Sequence, residues 1–184
     1  MGRLILTAFC FVFVILLVAG CSQNQESGGV TTNASTNSQT TGTEKGNLAP
    51  DFEVQLIDGN TFKLSNYKEQ KPVLVEFWAT WCPYCKRDFS VVKTIYPNYK
   101  NNVEFVAIDL DTSEDAELIK EYVEKSGLGD IKFALAKASV LSDYGVRSTT
   151  TKYAIARDGT ILWKGSGDVD AATWNTILKG LEAS

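Results

Sequence analysis

Residues 73–78 read Val-Leu-Val-Glu-Phe-Trp, an almost unbroken apolar run that follows Pro72. Such a run fits a strand covered on both faces, which requires a sheet with other layers packed on each side of it. Shortly afterwards comes Cys82-Pro83-Tyr84-Cys85. Pro83 suits the first turn of a helix, where its missing N–H is not needed. The pattern predicts a buried strand that turns abruptly into a helix over 83–96, stopped by Pro97, with two cysteines at the turn.

The rest of the chain fits around that unit. Residues 52–57 and 61–64 flank Asp58-Gly59-Asn60, and residues 152–156 and 160–164 flank Asp158-Gly159, two hairpin signals. Residues 103–108 repeat the buried-strand pattern, and 133–136 form a shorter apolar segment. Residues 113–125 read as a helix with Ser113 as N-cap and Gly127 at its end. A short helix is expected at 139–144. A closing helix over 171–181 carries Trp174, Ile177, Leu178 and Leu181 on one face. Strands alternating with helices give the α/β class, with a central mixed sheet flanked by helices and an N-terminal β-hairpin extension.

The N-terminus reads as a targeting segment. Arg3 precedes an apolar run over residues 4–18, short for a membrane span and suited to a signal-peptide core. Val18-Ala19-Gly20-Cys21 resembles a bacterial lipobox, in which the cysteine is lipidated and becomes the mature N-terminus. Residues 1–20 are therefore expected to be a lipoprotein signal peptide, with Cys21 the lipid attachment site and the domain on the extracytoplasmic side of the cell membrane. Residues 22–46, rich in Ser, Thr, Asn, Gln and Gly, lack the apolar content to bury a core. They are expected to act as a flexible tether with a reach of roughly 25–30 Å. The globular domain is then 47–184.

Of the four cysteines, Cys10 falls in the signal segment and Cys21 at the lipid site, leaving Cys82 and Cys85. The chain has no histidine, and a zinc site built from a single cysteine pair lacks its remaining usual ligands. Covalent haem requires histidine after the second cysteine, where this chain has Lys86. Two cysteines buried as small apolar residues fit poorly beside Pro83 and Tyr84, which mark a helix start at the surface. A redox pair fits the physics. The free N–H groups and dipole of a helix N-terminus favour an anion, so the Cys82 thiolate is stabilised there, and Cys85 stands one turn further in. The net charge of −4, with no clustering of Lys and Arg, gives no sign of a nucleic-acid partner.

Trp78-Ala79-Thr80-Trp81-Cys82-Pro83-Tyr84-Cys85 resembles the active site of the thioredoxin-like superfamily. Ala49-Pro50-Asp51-Phe52 with the hairpin after it, and the segment from Tyr144-Gly145-Val146 to Asp158-Gly159-Thr160-Ile161, resemble its membrane-anchored TlpA/ResA-type branch. The resemblance covers about residues 47–184 and implies a thioredoxin-like fold and thiol–disulfide oxidoreductase activity, without a cofactor. Peroxiredoxins share the Ala-Pro-Asp-Phe segment but place Pro and Thr where this chain has Val75 and Ala79, which disfavours a peroxidase. The resemblance makes Cys82 the nucleophile, Cys85 the resolving thiol and Glu76 the buried acid that relays protons to it. Asp88 matches a further acidic position of the anchored branch; a solvated helix charge is the alternative. Trp81, Pro83 and Tyr84 form an apolar rim for a partner's disulfide, whereas Trp78 is expected in the core. Implied partners are protein disulfides, apocytochrome c among them for the branch, and a membrane thiol donor.

One position departs from the family. Where the superfamily carries a cis-proline opposite the cysteines, this chain reads Thr149-Thr150-Thr151, and its prolines at 50, 72, 83 and 97 leave no substitute. A cis bond before proline costs about 0.5–1 kcal/mol, but before threonine about 2.5–4 kcal/mol. A trans Thr149–Thr150 peptide is therefore expected, with a reshaped substrate-docking edge at Thr149 and Thr150 and a hydroxyl close to the sulfurs. Two alternatives stay open on the sequence: a thioredoxin-fold binding module, or a dimer holding a metal ion or iron–sulfur cluster between two chains.

Overall fold

The computed structural model describes residues 39–184. The signal peptide, the lipid site at Cys21 and the tether up to residue 38 lie outside the described residues. The chain order is β1 (Glu53–Gln55), β2 (Thr61–Lys63), β3 (Val73–Trp78), α1 (Pro83–Ile95), β4 (Glu104–Asp109), α2 (Ala116–Ser126), β5 (Lys132–Ala134), α3 (Ala138–Asp143), β6 (Thr151–Ile155), β7 (Ile161–Gly165) and α4 (Ala171–Glu182).

Five strands form one mixed sheet in the order β5-β4-β3-β6-β7. β3 pairs parallel with β4 and antiparallel with β6. Every residue of β3 and β4 is buried, as their continuous apolar sequences require. Alternation along β3 divides the interior. Leu74 and Trp78 point to a core shared with Cys82, Cys85, Phe89, Val92, Trp174 and Leu178, under α1 and α4. Val73, Val75 and Phe77 point to a second core with Phe52, Phe62, Val140, Tyr144 and Tyr153, under α3 and the hairpin. Glu76 has the parity of Leu74 and Trp78, and Lys152 that of Ala154 in the first core. Both charged side chains therefore lie on the cysteine side of the sheet, opposite each other in register.

β1 and β2 form a separate antiparallel hairpin. Bonds from Ile57 N–H to the Phe133 carbonyl (3.0 Å) and from Leu135 N–H to the Gln55 carbonyl (2.9 Å) lay the hairpin along β5, protecting that sheet edge.

Two expectations need correction. α2 is capped by Asp115, whose carboxylate accepts from Leu118 N–H, while the Ser113 hydroxyl and N–H are both engaged by Asp111. The ordered body also begins before residue 47. Gly46 N–H bonds the Ile161 carbonyl (2.9 Å), Gly42 N–H bonds the Leu48 carbonyl (2.9 Å), and Glu44 pairs with Lys164 (2.8 Å). Main-chain bonds and an ion pair, rather than apolar burial, hold 39–46 against the start of β7.

α2 ends at Gly127, whose φ of +66° is left-handed and whose missing Cβ faces nothing within 4 Å. The cost of a side chain there is conformational only, so Gly127→Ala is expected to lower stability by about 1 kcal/mol. Urea denaturation of the oxidised protein checks this.

Candidate active site

α1 starts at the cysteines. Cys82 has extended backbone (φ −77°, ψ 112°) and is the N-cap of α1, with Pro83 in the first turn. Its sulfur takes the place of the usual capping oxygen and accepts from Cys85 N–H at 3.1 Å. Cys82 and Cys85 are joined as a disulfide, their Cα atoms 5.4 Å apart. When the bond is reduced, the same N–H and the aligned peptide dipoles of a 13-residue helix face the Cys82 sulfur. That environment stabilises a thiolate.

The turn is at the surface, but the sulfurs are covered. Trp81 and Tyr84 are 57% and 52% exposed, whereas Cys82 is 1% exposed and Cys85 fully buried. The two exposed rings are fixed by neighbours. Trp81 Nε1 donates to Asp111 Oδ2 at 2.8 Å. The Arg87 guanidinium lies 4.4 Å from the Tyr84 ring centre and pairs with Asp168 at 2.7 Å. Thr80 donates its N–H and hydroxyl to the Glu114 carboxylate, closing the turn from the other side. Trp78 lies wholly in the core.

The Thr149–Thr150 peptide is trans, there being no cis bond among the described residues. The strain appears one bond further on, because Thr150 has φ +64°. A β-branched residue in that region costs on the order of 1–3 kcal/mol. The Thr150 N–H donates to the Phe77 carbonyl (2.7 Å), and its hydroxyl accepts from Gly167 N–H (2.9 Å) while donating to the Thr149 carbonyl. Thr150 is buried and Thr149 half-buried. The Thr150 hydroxyl is thereby committed to the loop after β7.

Beneath the cysteines lie two acids and one base, all without exposure: Glu76 on β3, Asp88 on α1 and Lys152 on β6. Asp88 follows Cys85 by three residues and so shares its helical face. Lys152 Nζ is 2.6 Å from Asp88 Oδ2 and 3.6 Å from Glu76 Oε1. It also donates to the carbonyls of Thr150 (3.1 Å) and Gly167 (2.7 Å). Asp88 Oδ1 accepts from Val169 N–H at 2.8 Å. Neither oxygen of Glu76 has a hydrogen-bond partner. Burial, reinforced by the Asp88 charge and only partly offset by Lys152, pushes the Glu76 carboxyl up to about 8. Burial raises Asp88 too, against the opposing Lys152 ammonium and Val169 N–H. A third buried acid, Asp109 at the end of β4, is pushed up to about 7, first by burial and then by the charges of Glu114 and Asp111.

Among the described residues no group of three or more Cys, Asp or Glu side chains is placed to hold a metal ion. No helix among them is long and apolar enough to cross a membrane.

Comparison with known proteins accords with this geometry. The AhpC/TSA family matches residues 45–164. The chain is 31% identical over 140 residues to the thiol-disulfide oxidoreductase ResA of Bacillus thuringiensis, covering 74% of this chain and 78% of that one. The chain belongs to the AhpC/TSA family. Among solved structures, the exposed lipoprotein thioredoxin Etrx1 of Streptococcus pneumoniae is 27% identical, with a TM-score of 0.59 over 72% of this chain and all of that one. StoA of Bacillus subtilis, at 21% identity and a TM-score of 0.60 over 70% of this chain and 96% of its own, shares the fold. The fold is thioredoxin-like, and this AhpC/TSA member is a thiol–disulfide oxidoreductase.

The structure places Glu76 on the cysteine side of the sheet and links it through Lys152 to Asp88, one turn beyond Cys85 on α1, while Trp81, Pro83 and Tyr84 stand exposed at the start of that helix. Lys152 and Asp109 were missed. Each ends or begins an apolar strand segment and reads from sequence as its solvated tip. For Lys152 no sequence signal was available, since its place opposite Glu76 comes from the pairing of β6 with β3.

The raised acids set the direction of pH dependence. Glu76 and Asp109 hold protons in the folded chain at pH values where unfolded carboxyls have lost them. The folded state then binds more protons than the unfolded, so stability falls as pH rises from about 4.5 to about 8. Glu76→Gln is expected to remove about half of that slope, Asp109 carrying much of the rest. Urea denaturation of the oxidised protein across this range reads it.

Proposed function

We propose that this thiol–disulfide oxidoreductase reduces protein disulfides on the extracytoplasmic side of a membrane to which Cys21 anchors it. What supports the reading most directly is the Cys82 sulfur at the N-cap of α1, with Cys85 N–H pointing at it and Cys85 within disulfide reach. The Cys82 thiolate attacks one sulfur of the substrate disulfide. A mixed disulfide forms, and the other substrate sulfur leaves and takes a proton. The Cys85 thiol gives its proton to a base and attacks Cys82 Sγ, which releases the second substrate thiolate and leaves the Cys82–Cys85 bond. Glu76, on the same side of the sheet, takes this proton in its carboxylate form, which a carboxyl titrating near 8 populates in part at neutral pH and which accepts from a thiol at small cost. Asp88 supports it through Lys152. Trp81, Pro83 and Tyr84 receive the partner, with Thr149 at the opposite edge.

Regeneration takes two electrons and two protons from a membrane thiol donor. The lipobox-like Val18-Ala19-Gly20-Cys21 supports the anchor, as does the similarity to an exposed lipoprotein thioredoxin. The resemblance of the sequence to the anchored TlpA/ResA-type branch supports the reducing direction and makes apocytochrome c one substrate to test.

Cys85→Ser is expected to trap substrates as mixed disulfides on Cys82, and Cys82→Ser to trap none. Glu76→Gln is expected to slow release of the mixed disulfide about 100-fold. Stopped-flow exchange with a disulfide peptide measures both. The couple is expected nearer to about −270 mV, as for a reductant, than to about −120 mV. Cys21→Ala is expected to move the protein out of the membrane fraction. Exchange no faster than that of a free dithiol would instead favour a binding module, a reading to which the covered Cys82 and Thr150 lend some support.

A further inference from the structure

We infer that Lys152 is a positioning residue that assigns the two buried acids different states: its ammonium takes Asp88 as its ion-pair partner and so leaves Glu76 as the one proton carrier beneath the cysteines. This deepens the reading above and rests on Glu76 being the proton-moving group.

The geometry carries it. One cation faces two carboxyls in a compartment closed to water. Lys152 Nζ donates to the Thr150 and Gly167 carbonyls and lies 2.6 Å from Asp88 Oδ2 but 3.6 Å from the nearer Glu76 oxygen, so Asp88 is its closer ion-pair partner. The other Asp88 oxygen has a fixed donor in Val169 N–H, and neither Glu76 oxygen has one. A buried charge without such partners is expelled by protonation. With Asp88 ionised and Glu76 neutral, the cluster has no net charge. Ionising both acids would leave one negative charge buried and uncompensated.

The neighbouring elements do not alter this balance. α1 contributes Asp88. The loop after β7 contributes Asp168, paired with Arg87. α2 contributes the neutral Tyr122 phenol, and α4 the Trp174 ring, 5.8 Å from Lys152 Nζ. The same ammonium also joins the left-handed Thr150 turn to the Gly167 loop, so the charge arrangement is built into the edge that stands where the family's proline would be.

Carbon-detected NMR titration of the side-chain carboxyls in the oxidised protein tests this, because no thiol titrates there; Glu76→Gln assigns the signal. Asp88→Asn keeps an oxygen for Val169 N–H and frees the ammonium. The Glu76 inflection is then expected to fall by about 1 pH unit or more. Lys152→Met is expected to move it the opposite way and to bring Asp88 into titration near neutrality, and Lys152→Arg to restore both. In the Lys152→Met background, Asp88→Asn is expected to leave Glu76 unmoved. A Glu76 inflection that stays or rises in Asp88→Asn alone overturns the inference, whether or not Lys152→Met folds. Because the readout is titration and not exchange, a failed exchange assay would count against the proposed function and leave this result standing.

Discussion

The sulfur of Cys82 caps a helix. A buried strand ends at Trp78, a short turn follows, and α1 begins with the Cys85 N–H directed at that sulfur. A helix start leaves several donors without intrahelical partners, and in most proteins a Ser, Thr or Asp oxygen satisfies one of them. Giving that place to a thiol converts a structural requirement into chemical activation, because the thiolate accepts the bond better than the thiol. The turn is then braced on both sides, by Glu114 on Thr80 and by Asp111 on Trp81.

The second constraint is electrostatic. On the cysteine side of the sheet the acids Glu76 and Asp88 and the base Lys152 are buried within ion-pair reach of one another. Breaking a buried pair by removing one partner typically costs about 3–5 kcal/mol, so such groups are costly to keep unless paired. Here the pairing is incomplete by one acid, and the unpaired one is Glu76, on the strand that leads into the cysteines. A proton held at that point, near neutrality, is what alternating thiol and disulfide chemistry needs. The structure couples this cluster to the Thr150 turn through two carbonyls, so the missing proline and the buried lysine form one local solution. Positive φ at Thr150 takes up the backbone strain, and the threonine hydroxyl and Lys152 tie the strained turn to the Gly167 loop.

Much of this was legible in the sequence, and the reasons differ by residue. The strands at 73–78 and 103–108 are apolar but for Glu76 and Glu104, and the two Asp-Gly turns name their hairpins, so the strands, though not their order, could be written down in advance. Cys82-Pro83 marked the helix start, and the lack of any proline beyond 97 announced a trans bond at Thr150. Lys152 was not legible, because its burial follows from strand register, which places it across from Glu76, and register is a tertiary property. The ordering of 39–46 was missed because composition reports the capacity to bury apolar surface, while this segment is held by main-chain bonds. Ser113 lost the cap to Asp115 for a local reason: Asp111 already binds both its donors.

The pH dependence of Cys82 alkylation in the reduced protein, followed by mass spectrometry of the labelled peptide, tests the central claim most directly. Capping of α1 by the sulfur predicts an inflection well below about 8.5, inside the range of roughly 3.5–7.5 found for thiols at helix starts. An inflection at about 8.5, that of an ordinary free thiol, would contradict it.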